Sequence, residues 1–269
     1  MPFTTIDGNR LAYHVKQAGA ESFVFVHGLG CSKDSFDRCF KMDAFDGYTV
    51  AAIDLPGCGE SQGGQDFSYT MKDQADLVLQ WVSHLNLRKI ILVGHSMGGV
   101  ICQYMAEALG AEAKAFLNLE GNLGPNDCTF SARVAAYTRE EFEARGFERF
   151  KKELKKAVAK EASMGLNHYY QNVLKADPGS YYLSSVSLVK ESSEGNLKER
   201  FAGLPMHKWY VFGERSVDLD TRHFLEAHQI PYFVVPESGH FMMDDRPAVF
   251  YTMLFEALGE NMGIGPKRT

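Results

Sequence analysis

The sequence predicts an α/β fold, a mostly parallel eight-stranded sheet with helices on both faces. Two observations carry this. Short runs of purely apolar residues alternate with longer stretches of helical periodicity, the pattern of strands joined by crossover helices. Those runs lack polar alternation, so both of their faces must be covered. A chain of 269 residues, 45% apolar and 23% charged, is long enough for a large core and too apolar for disorder.

The elements follow in order. Residues 3–6 and 11–15, with Asp7-Gly8-Asn9 between them, predict an antiparallel hairpin at the sheet edge. Residues 23–26, 48–53 and 89–93 predict three buried strands, which end at His27-Gly28, Asp54 and Gly94. Helical spacing runs over 69–85, with Met71, Ala75, Val78, Leu79 and Val82 on one face. It runs again over 98–109, through Val100, Ile101, Tyr104, Met105 and Ala108. Residues 113–119, 208–212 and 232–235 predict later strands, and Pro247 opens a closing helix over 247–258.

From about 122 to 204 the alternation stops. Helical patterns continue, one of them over 140–162, but no strand is predicted. The chain therefore divides into a core domain of residues 1–121 and 205–269 and a helical insertion of residues 122–204. Within the insertion, Lys151, Lys152, Lys155, Lys156 and Lys160 stand among Glu148, Glu153 and Glu161. This mixture reads as a solvated helix face with ion pairs four residues apart, not a basic binding site.

A net charge of −6, from 28 Lys and Arg against 34 Asp and Glu, offers no general attraction to nucleic acid or anionic membranes. The five cysteines, an odd number without a C-x-x-C pair, read as reduced thiols of a cytoplasmic protein. Asp7, Arg10 and Lys16 interrupt the N-terminal apolar residues, so no export signal is expected, and no run is long enough to span a membrane. No metal-ligand spacing occurs, and no cofactor is expected.

The chemistry concentrates at Gly94-His95-Ser96-Met97-Gly98-Gly99, which follows an apolar strand and opens a helix. A tight strand-to-helix turn strains its central residue and crowds its neighbours, which is why glycines flank it. The turn raises the Ser96 hydroxyl at the carboxyl edge of the sheet, where open α/β sheets bind ligands. The Met97 N–H lies at the positive end of the new helix and suits a developing oxyanion.

Here the sequence resembles the α/β-hydrolases, and over nearly its whole length. His27-Gly28-Leu29-Gly30 is similar to the family's H-G loop, which implies that the Leu29 N–H is the second oxyanion donor. Asp54-Leu55-Pro56-Gly57-Cys58-Gly59-Glu60-Ser61 matches the D-x-P-G-x-G-x-S segment, and Ser238-Gly239-His240-Phe241 the loop that presents the catalytic histidine. His240 is then the candidate general base, since an imidazole titrating near ~6.5 can take the serine proton and later return it. His27 and His95 are read as shaping the oxyanion loop and the turn, and His14, His84, His168, His207, His223 and His228 as surface or packing residues.

The acid departs from the family pattern. After the strand at 208–212 the usual form is G-x-x-D, but Gly213-Glu214-Arg215-Ser216 has serine at that place. Glu120, which ends the strand at 113–119, is the favoured acid, because a carboxylate closing an apolar strand is costly unless paired. Some relatives carry their acid there, and the order Ser96, Glu120, His240 agrees with the family. Asp218 is the alternative, with Glu214 and Asp220 behind it, and a helix cap for the insertion is the non-catalytic reading of Glu120.

These residues imply cleavage of a small ester-type bond through an acyl-enzyme. C–C bond hydrolysis, lactone opening, thioester cleavage and amino-terminal peptide cleavage use the same groups, and a catalytically weak receptor is the non-enzymatic alternative. Epoxide hydrolases and dehalogenases of this fold need a carboxylate where Ser96 stands. The insertion resembles the family's cap, and Tyr137, Phe142, Phe147, Phe150, Tyr169, Tyr170, Tyr181 and Tyr182 either line a pocket beneath it or fill its core. The expected partner is a small apolar or aromatic substrate, and a homodimer stays open. A dinucleotide reading of Gly28-Leu29-Gly30 with Asp54 fails on Lys33, where a third small residue is needed.

Overall fold

The structure, a computed structural model, describes residues 2–161 and 163–266. β1 (Phe3–Ile6) and β2 (Asn9–Lys16) form the predicted hairpin. Asp7 and Gly8 both take positive φ, 47° and 76°, as a two-residue turn matched to the strand twist requires. β3 (Ser22–Val26), β4 (Thr49–Ile53), β5 (Ile90–His95), β6 (Ala113–Leu119), β7 (His207–Gly213) and β8 (Tyr232–Val235) complete one sheet of order β1-β2-β4-β3-β5-β6-β7-β8. Only the β1–β2 and β2–β4 pairs are antiparallel. Every residue of β3, β4 and β5 is buried, as their unbroken apolar runs required.

α1 (Met71–His84) and α2 (Met97–Leu109) are the predicted crossovers, and the Thr70 hydroxyl caps the first by accepting from Asp73 N–H. Between β6 and β7 come α3 (Thr129–Ala135), α4 (Arg139–Glu141), α5 (Phe147–Lys160), α6 (Met164–Val173), α7 (Pro178–Glu194) and α8 (Leu197–Gly203), with no strand among the described residues. The helix expected over 140–162 starts at a capping box of Thr138 and Glu141, widens through a π-turn at Phe142–Gly146, and ends at Lys160. Ala162 lies outside the described residues. Arg139–Glu143, Arg145–Glu141 and Arg149–Glu153 are exposed pairs four apart, and Lys151 pairs with Glu148. Exposed pairs of this kind are screened by solvent and contribute little to stability.

Of the aromatics proposed for pocket or core, Phe142, Phe147, Phe150 and Tyr181 pack on one another, with ring centroids 5.5–6.1 Å apart. α9 (Leu219–Ala227), α10 (Met242–Asp245) and α11 (Pro247–Met262) follow. The last covers one face of the sheet, its Phe255 ring 5.9 Å from Phe23 and 4.8 Å from Phe45. The five cysteines are free and buried, and no helix among the described residues is long and apolar enough to cross a membrane.

Candidate active site

Strand order brings the carboxyl ends of β3, β5, β6, β7 and β8 into one row. The ladder continues one residue past the strands: Ser96 N–H donates to Leu119 O at 2.9 Å, and Glu120 N–H to Val211 O at 3.0 Å. Ser96 and Glu120 thus leave the sheet side by side, each as the first residue beyond its strand.

Ser96 has φ 52° and ψ −122°, a strained conformation that L-residues rarely adopt. The surrounding glycines permit it. A Cβ on Gly98 would stand 2.2 Å from Val26 O, one on Gly94 2.5 Å from Gly98 O, and one on Gly28 3.0 Å from the Ser96 Cβ. The expected role of glycine in this turn is therefore close approach of three backbone segments. Among the described residues, no backbone hydrogen bond of a turn, loop or cap occupies the N–H of Leu29 or of Met97, and both residues are buried.

Glu120 also has positive φ, 44°, and is 9% exposed. Its carboxylate is fully engaged. Oε2 accepts from His240 Nδ1 at 2.6 Å, while Oε1 accepts from Gly213 N–H at 2.7 Å and from the Ser216 hydroxyl at 2.6 Å. Three donors offset the cost of burying the charge. Ser216, which read as a gap in the acid pattern, is thus a donor to the carboxylate from the turn that follows β7. The helix-cap reading of Glu120 does not hold, since the first turn of the insertion is capped by Asp127, whose Oδ2 accepts from Leu123 N–H and Gly124 N–H.

Among the described residues, no hydrogen bond joins any of the other candidate acids to His240, although Asp218 stands on the same side of the sheet as Ser96. Asp218 Oδ1 accepts from Thr221 N–H at 2.7 Å and caps α9; Glu214 Oε2 accepts from Glu237 N–H; Asp220 is exposed in the first turn of α9. His27 accepts from Leu55 N–H through Nε2 and donates through Nδ1 to Gly28 O, and burial holds it below the ordinary imidazole range. Burial, reinforced by the nearby His240, holds His95 well below that range as well, so its neutral ring donates Nε2–H to His240 O at 2.9 Å. That bond ties the Ser96 turn to the loop carrying His240.

Ser96, Glu120 and His240 line one cavity of about 590 Å³, together with Leu29, Cys31 and Phe241 from the sheet side and Phe130, Leu166, Tyr169 and Leu188 from the helices between β6 and β7. Of the eight aromatics named from the sequence only Tyr169 reaches it; Phe130, Tyr210, Phe212 and Phe241 were not anticipated. Among the described residues no hydrogen bond forms to the Ser96 hydroxyl. Burial pushes the Cys31 thiol well above its ordinary value, so the second nucleophile type in the cavity stays protonated.

Two further clusters lie outside this cavity. Asp54 is fully buried and accepts from Lys33 N–H at 2.7 Å, Lys33 Nζ at 3.1 Å and Glu60 N–H at 2.9 Å, which leaves no carboxylate for a ribose. His14 Nε2 stands 3.3 Å from Asp34 Oδ1 and 3.5 Å from Asp37 Oδ1, residue types able to hold a metal ion. The Lys33 ammonium, 3.1 Å from Asp34, already supplies a cation there.

A family model described as the alpha/beta hydrolase fold matches residues 21–174, more than half of the chain. The Bacillus subtilis hydrolase YugF is 39% identical over 98 residues, 36% of this chain and 36% of that protein. The chain thus matches about a third of the length of such curated relatives. Among solved structures, a carboxylesterase study of the ammonia-oxidizing thaumarchaeon Nitrososphaera gargenis gives a TM-score of 0.79 at 20% identity, covering 96% of this chain and 98% of that one. An N-acyl homoserine lactonase, AidH, gives 0.74 at 17% identity, covering 97% and 96%. With sheet order, strained serine turn and family model in agreement, this chain belongs to the α/β-hydrolase fold family.

Proposed function

We propose that this protein is a serine hydrolase that cleaves small carboxylic esters through an acyl-enzyme. The observation that carries the reading is the 2.6 Å bond between Glu120 and His240 inside the cavity that the strained Ser96 also lines. Ser96 Oγ attacks the ester carbonyl while His240 Nε2 takes its proton, and the carbonyl oxygen becomes an oxyanion held by the N–H groups of Leu29 and Met97. Collapse expels the alcohol, which receives that proton from His240. Water, deprotonated by the same ring, then attacks the acyl-enzyme; the bond to Ser96 Oγ breaks, Oγ takes that proton back from His240, and the acid is released. Glu120 fixes the imidazole tautomer and stabilises the imidazolium without taking the proton. The open hydroxyl of Ser96 meets His240 as substrate fills the cavity, since such bonds tighten in the Michaelis complex.

The helices of residues 122–204 act in this reading as a cap, closing the cavity with Phe130, Leu166, Tyr169 and Leu188 and excluding bulk water. A receptor without turnover drew its support from the missing aspartate after β7; Glu120, buttressed by Ser216, supplies that carboxylate instead. The test is turnover across esters, lactones, thioesters and diketones by wild type and Ser96→Ala. Hydrolysis of a short-chain aryl ester that vanishes in the folded variant is expected; equal turnover in the variant overturns the mechanism.

A further inference from the structure

Asp245 lies five residues beyond His240, in α10, and its carboxylate has partners on two sides. Oδ2 accepts from Gly239 N–H at 3.0 Å, the residue immediately before His240. Oδ1 accepts from the Ser163 hydroxyl and from Gly165 N–H, both at 3.0 Å, at the start of α6. Ser163 is itself the N-cap of α6 and accepts from Leu166 N–H, so the carboxylate sits where the helix presents free N–H groups and its positive end.

The rest of the interface is built for this contact. A Cβ on Gly165 would stand 2.3 Å from the Phe241 Cβ, so only glycine lets α6 come this close to the His240 loop. Tyr169, one turn further along α6, stacks on Phe241 with centroids 5.0 Å apart, and His168 donates to Asp244 at 2.8 Å. Met164 is exposed, so α6 is not held at this end by burial of its first residue.

Resting on the reading of His240 as general base, we propose that Asp245 is a positioning residue that clamps α6 to the His240 loop. Seating of the helices over the cavity and placement of the base are then one event. Loosening the carboxylate frees the loop and the helix together, and displacement of a base by about 1 Å costs on the order of 10²-fold in rate.

The experiment compares wild type, Asp245→Asn and Ser163→Ala by peptide-resolved hydrogen exchange and by kcat and KM on a short-chain aryl ester. Asp245→Asn should speed exchange in peptides covering 163–168 and 238–242 together. It should lower kcat roughly 10–100-fold with KM within about threefold. Ser163→Ala, which touches only the α6 side, should speed exchange in the 238–242 peptide as well, with a smaller fall in kcat. Exchange that rises on one side alone, or a folded Asp245→Asn enzyme with kcat within twofold of wild type, overturns the proposal. A wild type without ester turnover refutes the proposed function, while the exchange data still decide whether Asp245 couples the two segments.

Discussion

Glu120→Gln separates the role of this carboxylate from that of every other acid in the cavity. The carboxylate accepts three hydrogen bonds, one from His240 Nδ1 on Oε2 and two from Gly213 N–H and Ser216 on Oε1. An amide has one oxygen for these two sides. Turned toward Gly213 and Ser216, the oxygen keeps both donors satisfied and aims the NH₂ at Nδ1, which must then lose its proton and leave Nε2 protonated, unable to accept from serine. Turned toward His240, it opposes NH₂ to the buried Gly213 N–H, at a cost of about 1–3 kcal/mol. The first orientation is therefore favoured, and it selects the wrong tautomer. A loss of roughly 10²–10⁴ in kcat is expected, about 3–5 kcal/mol of transition-state stabilisation. Initial rates on a saturating aryl ester at fixed pH, with circular dichroism to verify folding, measure it. Asp218→Asn keeps the α9 cap and should stay within about twofold of wild type. A crippled Asp218→Asn beside an active Glu120→Gln would refute the assignment.

Three other outcomes follow from the geometry. Gly98→Ala puts a Cβ 2.2 Å from Val26 O and should cost at least about 3 kcal/mol or prevent folding, measured by urea unfolding; a neutral effect would mean that the turn is looser than described. Lys33→Met removes the cation from a pair in which Lys33 is 1% and Asp54 0% exposed, and should lower stability by about 3–5 kcal/mol, while a further Asp54→Asn change should restore part of it; an unaffected urea midpoint would contradict the pairing. His168 is held above the ordinary imidazole range by its bond to Asp244, whose own burial keeps it above the usual carboxylate range despite that bond. A raised folded value makes this contribution complete below the unfolded value of ~6.5 and removes it as pH rises through the folded one. The stability gap between wild type and His168→Gln should shrink from pH 6 upward, and a constant gap to pH 9 would contradict it.

Much of this is legible in the sequence. Unbroken apolar runs located β3, β4 and β5, because a strand covered on both faces needs no polar positions, and the glycines around Ser96 marked the strained turn. Glu120 was legible as a buried charge in need of partners. Its partners were not. Ser216 lies 96 residues away, and only the β6–β7 pairing aims its hydroxyl at the carboxylate. The same holds for Asp245, whose bonds run to residues 80 or more positions earlier as well as to Gly239. α9 is not legible as periodicity, because only Thr221 and Leu225 are buried on it, too narrow a stripe. The aromatic residues of the insertion gave composition without direction, and most of them turned into its own packing.

The central claim is that Ser96 becomes a nucleophile through His240. Incubation with a fluorophosphonate, followed by peptide mass spectrometry, tests it directly, because phosphonylation reports the activated hydroxyl whatever the natural substrate. The account predicts modification at Ser96, absent in Ser96→Ala and at least about 10³-fold slower in a folded His240→Ala variant. Modification at another residue, or an undiminished rate at Ser96 without the imidazole, would contradict it.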